Sequence, residues 1–122
     1  MIFDTYAWIE YFQGTEKGDR IRILLKNNEC FTSLISIAEI SNWIENKNMN
    51  RGKIMKVVKE SSKMIELDEE ILEIAGIIKK EKRKTIKDMG LIDSIIIATS
   101  RKYGLKILTG DPHFQGENVE FL

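Results

Sequence analysis

A single cysteine, a single proline and a single histidine stand among the 122 residues of this chain. One thiol, Cys30, cannot close an internal disulfide, which excludes a disulfide-stapled scaffold and fits a reducing compartment. One proline, Pro112, argues against long disordered linkers. One imidazole, His113, has no second imidazole with which to share a metal. An excess of either charge is missing too, since 19 Lys and Arg balance 19 Asp and Glu. Any nucleic-acid footprint must therefore be local. No apolar run approaches the roughly 20 residues of a membrane span, and the N-terminus lacks the basic-then-apolar pattern of a secretory signal. The expectation is a cytoplasmic protein without membrane association.

What is present is ordinary for a folded protein: 43% hydrophobic and 31% charged residues. That length and composition predict one domain over residues 1–122 with a core of useful size. Met1 to Phe3 reads as a short buried strand, followed by an apolar-rich helix from Tyr6 to Phe12. Asp19 to Lys26 resumes helical spacing, and Glu29 to Leu34 reads as a second strand. A helix opens at Ser36, with Ile37, Ile40 and Ile44 on one face, and another spans Lys53 to Ser62. Met64 to Leu67 is strand-like, and Asp68 caps a helix to about Arg83 with Ile71, Ile74, Ala75 and Ile78 as its apolar stripe. The stretch from Leu91 through Ala98 is apolar almost all round, which places it in a core. Gly104 stops that helix, Leu105 to Leu108 is a strand, and Val119 to Leu122 closes the chain as another. Strands alternating with helices favour an α/β sandwich with a central, mainly parallel sheet.

Acids stand at the junctions of these elements: Asp4 after the first strand, Glu39 in the helix after the second, Asp93 in the first turn of the apolar helix, and Asp111 after the strand that follows. Each has a local explanation. Asp4 can cap the Tyr6 helix, and Ser36-x-x-Glu39 matches a capping box. Asp93 suits the positive end of a helix, and Asp111 suits the Gly-Asp-Pro turn. Together they carry more. Right-handed βα alternation brings the carboxyl ends of the strands to one sheet edge, where open parallel sheets bind ligands. Carboxylates converging there repel one another unless a cation lies between them. An all-oxygen set suits Mg²⁺ or Mn²⁺ rather than zinc, and such an ion can activate water against a phosphodiester.

Four segments carry a family resemblance across essentially the whole chain. Met1-Ile-Phe-Asp-Thr-Tyr-Ala-Trp-Ile-Glu-Tyr-Phe12 resembles the opening of a PIN domain of the VapC toxin type. Thr32-Ser-Leu-Ile-Ser-Ile-Ala-Glu39, Leu91-Ile-Asp-Ser-Ile-Ile-Ile-Ala98 and Leu108-Thr-Gly-Asp-Pro-His-Phe114 resemble the second, third and fourth motifs of that family in order. The resemblance implies a three-layer α/β/α sandwich. It also implies a metal-dependent endoribonuclease, the toxin of a toxin–antitoxin pair, acting on RNA as a homodimer and inhibited by a small antitoxin protein. On it, Asp4, Glu39 and Asp93 hold Mg²⁺ or Mn²⁺ with Asp111 as a more variable fourth acid. Thr109 orients water or an acid, and Ser36 supports Glu39. The sequence departs at Tyr6, where relatives carry a small polar residue and a ring would narrow access. It departs also at Ser94, where alanine is common and a hydroxyl is harmless.

The run Lys79-Lys-Glu-Lys-Arg-Lys84, followed by Lys87, has two readings. It is a solvated helix end favoured by the helix dipole, or a phosphate-gripping rim in which Lys82, Arg83, Lys84 and Lys87 contact RNA. Trp8, Tyr11 and Phe12 fall on helical spacing and serve the core or a dimer interface; as anchors they would place the dimer on the early helices. A basic or amphipathic antitoxin segment could reach the acidic crevice and displace the metal with an Arg. His113 reads as a turn residue and Cys30 as a small buried hydrophobe.

Two other functions compete. Asp-Thr after a first strand with a late Gly-Asp suggests a haloacid-dehalogenase phosphatase, but Tyr6 and Gln115 stand where that chemistry needs acids. A catalytically silent PIN-like module acting through a protein partner remains the alternative, its acids serving only as caps.

Overall fold

The chain alternates strand and helix because apolar pairs and triplets, too short for helices, are interrupted by longer amphipathic runs with caps at their starts. A computed structural model describes every residue from Met1 to Leu122. The elements are β1 (Ile2–Phe3), α1 (Thr5–Gln13), α2 (Glu16–Asn27), β2 (Phe31–Ser33), α3 (Leu34–Lys47), α4 (Arg51–Ser61), β3 (Lys63–Ile65), α5 (Glu69–Lys82), α6 (Leu91–Tyr103), β4 (Ile107–Thr109) and β5 (Val119–Phe121). A single 3₁₀ turn spans Pro112–Phe114. The five strands pair in the order β3-β2-β1-β4-β5, and every pair is parallel. The sheet is thus parallel throughout, where the sequence predicts it mainly so.

Alternation along β1 and β4 sends side chains to opposite faces. Ile2 lies opposite Ile107 and Phe3 opposite Leu108. Ile2 and Ile107 pack with Ile71, Ala75 and Ile78 of α5 and Ile95 to Ala98 of α6. Phe3 and Leu108 pack with Trp8, Ile21, Ile40, Ile44, Ile54 and Val58, drawn from α1 to α4. Two helical layers therefore sandwich the sheet. In α6, Ser94 through Ser100 are buried without a break, so an apolar helix with no polar face is a helix closed in on all sides. Fully burying one of its isoleucines contributes about 1.5–3 kcal/mol.

Caps fix where each helix begins. Asp4 accepts from Ala7 N–H at the start of α1, and Asp68 accepts from Ile71 N–H at the start of α5. The cap of α3 is Ser33, whose Oγ accepts from Ile35 N–H. This corrects the Ser36 capping box: strand β2 passes directly into α3, and Ser36 is already inside the helix. The α6 helix ends at Gly104, whose φ of 63° is a left-handed conformation that glycine adopts without cost.

The strand order places the topological switch between β1 and β4, which extend from opposite halves of the sheet. At such a point the connections on either side run to opposite faces and leave a crevice at the carboxyl ends of the strands. Asp4 directly follows β1, and Asp111 lies two residues beyond β4.

Candidate functional site

The crevice is a cleft of about 230 Å³ lined by Asp4, Thr5, Tyr6, Ile9, Glu39, Asp93, Ile96 and Asp111. The acids that the sequence places at element junctions thus line one cleft, and no lysine or arginine lines it with them. Larger hollows lie elsewhere. One of about 480 Å³ at the opposite end of the sheet is lined mainly by apolar residues, including Phe31, Met64 and Leu105. Convergence of charge, rather than size, distinguishes the cleft.

Asp4 sits deepest, 5% exposed. One carboxylate oxygen caps α1 at 2.9 Å from Ala7 N–H, and the other accepts the Thr109 hydroxyl proton. Thr109 Oγ1 accepts in turn from Asp111 N–H at 2.9 Å. That relay ties the end of β1 to the end of β4. Burial raises the Asp4 pKa from 3.8 to about 7, against the lowering effect of Thr109 and Ala7, and the charges of Asp93 and Asp111 add to the rise.

Glu39 reaches the cleft from the second turn of α3 and accepts from Thr5 Oγ1 at 2.6 Å. Thr5, not Ser36, supports it. The Ser36 hydroxyl is buried without a hydrogen-bond partner. Asp93, in the first turn of α6, has a raised pKa. Burial is the main cause, with the Asp111 and Glu39 charges in the same direction and the bond to His113 opposing.

Asp111 caps the 3₁₀ turn by accepting from His113 N–H at 2.9 Å. That turn carries the His113 ring into a nest of carboxylates. Its Nδ1 lies 3.2 Å from Asp93 Oδ2 and 3.4 Å from Asp111 Oδ1, and its Nε2 lies 3.0 Å from Asp88 Oδ1. Burial lowers the imidazole pKa, but Asp93, Asp111 and Asp88 outweigh it and the net shift is upward. His113 is therefore not the simple turn residue the sequence predicts. Asp88 and Thr5 are likewise unmarked by spacing, and only the Asp111-x-His113 pairing in one tight turn hints at the first contact.

Tyr6 lines the cleft. The ring lies so close to Gly110 that a Cβ there would overlap it, and its hydroxyl accepts from Lys17 Nζ at 3.1 Å. Ser94 is harmless to Asp93, since its Oγ donates to Gly90 O at 2.9 Å. The basic residues divide. Lys82 pairs with Glu117 at 2.9 Å, the two side chains being 13% and 11% exposed, so it is a structural cation. Arg83 Nε donates to Met89 O at 3.4 Å, and Lys84 pairs with Glu81 in solvent. Lys87 is exposed, beside Asp88 and its contact to His113. Trp8 is fully buried and donates from Nε1 to Thr32 Oγ1 at 3.0 Å. That removes it as an interface anchor, whereas Tyr11, Phe12 and Trp43 remain partly exposed around it.

A parallel five-stranded sandwich with acids gathered at its switch point defines a class. The chain belongs to the PIN domain family, whose profile matches residues 1–116. Its structural neighbours include a toxin and chains of toxin–antitoxin complexes. It is similar to a chain of a toxin–antitoxin complex from Klebsiella pneumoniae, with TM-score 0.77 and 22% identity over 98% of this chain and 94% of that one. It is similar also to Mycobacterium tuberculosis VapC20, a sarcin–ricin loop cleaving toxin, with TM-score 0.75 and 16% identity over 96% of each chain. A third likeness is to VapBC2 from Rickettsia felis bound to a fragment of promoter DNA, with TM-score 0.75 and 14% identity over 100% and 99% of the two chains. At these identities the likeness is one of fold. No curated protein matches the sequence significantly.

The donor set fits a divalent cation. Oxygen donors from Asp4, Glu39, Asp93 and Asp111 face one cleft, and no lysine or arginine lines it to balance them. A hard ion of charge +2 answers both features.

Proposed function

We propose that this chain is the toxin of a toxin–antitoxin pair, an endoribonuclease that uses Mg²⁺ or Mn²⁺ to hydrolyse RNA phosphodiesters. The observation that carries the reading is the meeting of Asp4, Glu39, Asp93 and Asp111 in one cleft at the switch point of the sheet. These four side chains would hold the ion. When bound, it supplies Lewis-acid polarisation of a phosphoryl oxygen and lowers the pKa of water.

The chain itself supplies position. Thr109 holds the Asp4 carboxylate against the end of β4, and Thr5 holds Glu39 against the start of α1. Neither acid needs to reorient when substrate arrives, which is the condition for electrostatic catalysis at low reorganisation cost. The Tyr6 ring restricts the cleft, favouring a single-stranded or splayed segment over a duplex. Arg83, Lys84 and Lys87, on the segment leading into α6, offer phosphate contacts beside it. A small antitoxin is the proposed inhibitor, and a second copy of the chain is proposed to meet the partly exposed Tyr11, Phe12 and Trp43. The cytoplasm is the proposed site of action; no helix is long and apolar enough to cross a membrane.

The test is cleavage of a mixed RNA panel by the purified chain with Mn²⁺, Mg²⁺ or EDTA, beside Asp93→Asn. Cutting that needs metal and is lost in the variant is the expected result. Intact RNA throughout, with Mn²⁺ binding equal in both proteins or absent from both, would leave the silent module as the better account.

A further inference from the structure

The His113 ring changes the character of one side of the cleft. Three donors of different elements meet there: a carboxylate from the first turn of α6, a carboxylate from the end of β4, and an imidazole from the 3₁₀ turn. One ligand atom from each of Asp93, Asp111 and His113 lies within 4.8 Å of the other two. The Nδ1 distances to the two carboxylates, 3.2 and 3.4 Å, are close to the edge of a tetrahedron with metal–ligand bonds of about 2.1 Å, which is roughly 3.4 Å.

The other face of the ring supplies an independent observation. Asp88 Oδ1 lies 3.0 Å from His113 Nε2. Without a cation Nδ1 shares a proton with Asp93; a carboxylate that accepts the Nε2 proton lets Nδ1 give up its own when a cation enters, its lone pair then facing the ion between Asp93 and Asp111. This carboxylate–imidazole arrangement orients metal-ligating histidines and makes them more basic. Asp88 lies outside the cleft lining and is 80% exposed, so the cleft's carboxylate chemistry does not account for it.

We propose that Asp93, Asp111 and His113 form a zinc-class transition-metal site, with Asp88 as its outer partner, overlapping the Mg²⁺/Mn²⁺ position through two shared carboxylates. A nitrogen donor favours Zn²⁺ and Co²⁺ over Mg²⁺, because imidazole is softer than carboxylate and affinity rises along the first-row series. Three protein ligands leave one position open to the cleft. Zn²⁺ bound there competes with the ion proposed above for Asp93 and Asp111, so zinc inhibits the nuclease. The inference shares its two acids with that reading and is tested separately from it.

The experiment is calorimetric titration of the untagged, metal-stripped chain with Zn²⁺ and with Mn²⁺, together with Co²⁺ absorption spectra. Wild type, His113→Ala, Asp88→Asn and Asp4→Asn are compared, their folding checked by circular dichroism in EDTA. Wild type is expected to bind one Zn²⁺ and to show the intense visible band of low-coordinate Co²⁺. Asp88→Asn, at an exposed position, weakens Zn²⁺ by about 10- to 100-fold. His113→Ala weakens it at least as much and abolishes the Co²⁺ band while Mn²⁺ binding persists. Cys30 does not interfere, being buried at the other end of the sheet. Equal Zn²⁺ affinity in wild type, His113→Ala and Asp88→Asn overturns the proposal. If Mn²⁺ still binds wild type and is lost in Asp4→Asn, the cleft reading survives that result. A wild-type chain that binds neither ion overturns both.

Discussion

Replacing Asp4 with Asn should stabilise the metal-free protein at alkaline pH, although Asp4 sits at the centre of the cleft. Asn keeps one oxygen for the Ala7 N–H cap and sets its NH₂ against Thr109 Oγ1, which must then accept where it now donates. The loss of that donation, about 1 kcal/mol, is smaller than the gain from removing a buried charge. The carboxyl titrates near 7 when folded and near 3.8 when unfolded, burial being the main cause. Between those values the folded state binds more protons than the unfolded state, so stability falls as pH rises. A shift of roughly 3 units corresponds to about 4 kcal/mol at pH 8, against about 2 kcal/mol already felt at pH 5. Urea unfolding in EDTA should therefore show wild type losing roughly 2 to 3 kcal/mol from this group between pH 5 and pH 8. Asp93 and His113 act in the same direction, since both have raised pKa values. Asp4→Asn should flatten the slope without abolishing it. Saturating Mn²⁺ should reverse the order at pH 8, because a bound cation stabilises wild type and not the variant. A variant with the same pH slope as wild type, or one less stable at pH 8 in EDTA, would refute the reasoning.

Other expectations are independent of that titration. Thr109→Val deprives Asp4 of a donor and Asp111 N–H of an acceptor at a fully buried position; urea denaturation should show a loss of about 1–3 kcal/mol. Gly110→Ala places a methyl into the Tyr6 ring and should cost about 1–3 kcal/mol. Tyr6→Ala in the same chain should recover most of that loss in thermal melts, and a purely backbone effect would not be rescued. Lys82→Ala should reduce stability by roughly 1–2 kcal/mol, because Glu117 keeps Arg101 as partner. By contrast Lys84→Ala and Lys87→Ala should leave melting unchanged and each lower the salt slope of RNA binding by about one; unchanged slopes would remove the basic rim.

The sequence by itself determined the βα alternation, the burial of the Leu91–Ala98 helix and the placing of acids at element ends. Each of these is local physics. Helical and strand periods are written in neighbouring residues, and so are caps such as Asp4 and Asp68. Local rules also misplaced what they could not weigh. Ser36-x-x-Glu39 satisfies a capping pattern, yet Ser33 caps α3 because β2 feeds the helix without a loop, and this frees Glu39 to meet Thr5 across 34 positions. Spacing left Trp8 between core and interface, and the structure closes it in beneath Phe12, held by Thr32.

Only the tertiary structure decided what surrounds each charge. Lys82 belongs to a basic run in sequence but faces Glu117 from the far end of the chain. His113 reads as a turn, yet folding sets Asp88 on one of its nitrogens and Asp93 and Asp111 on the other. A side chain's chemistry depends on dielectric and on partners within a few ångströms, and in a parallel sheet those partners come from segments that only crossovers bring together. The four acids were legible in the sequence because Asp4, Asp93 and Asp111 sit at element ends and Glu39 lies in the second turn of α3; the nest around His113 was not, because Asp88 and Asp93 reach it from other segments.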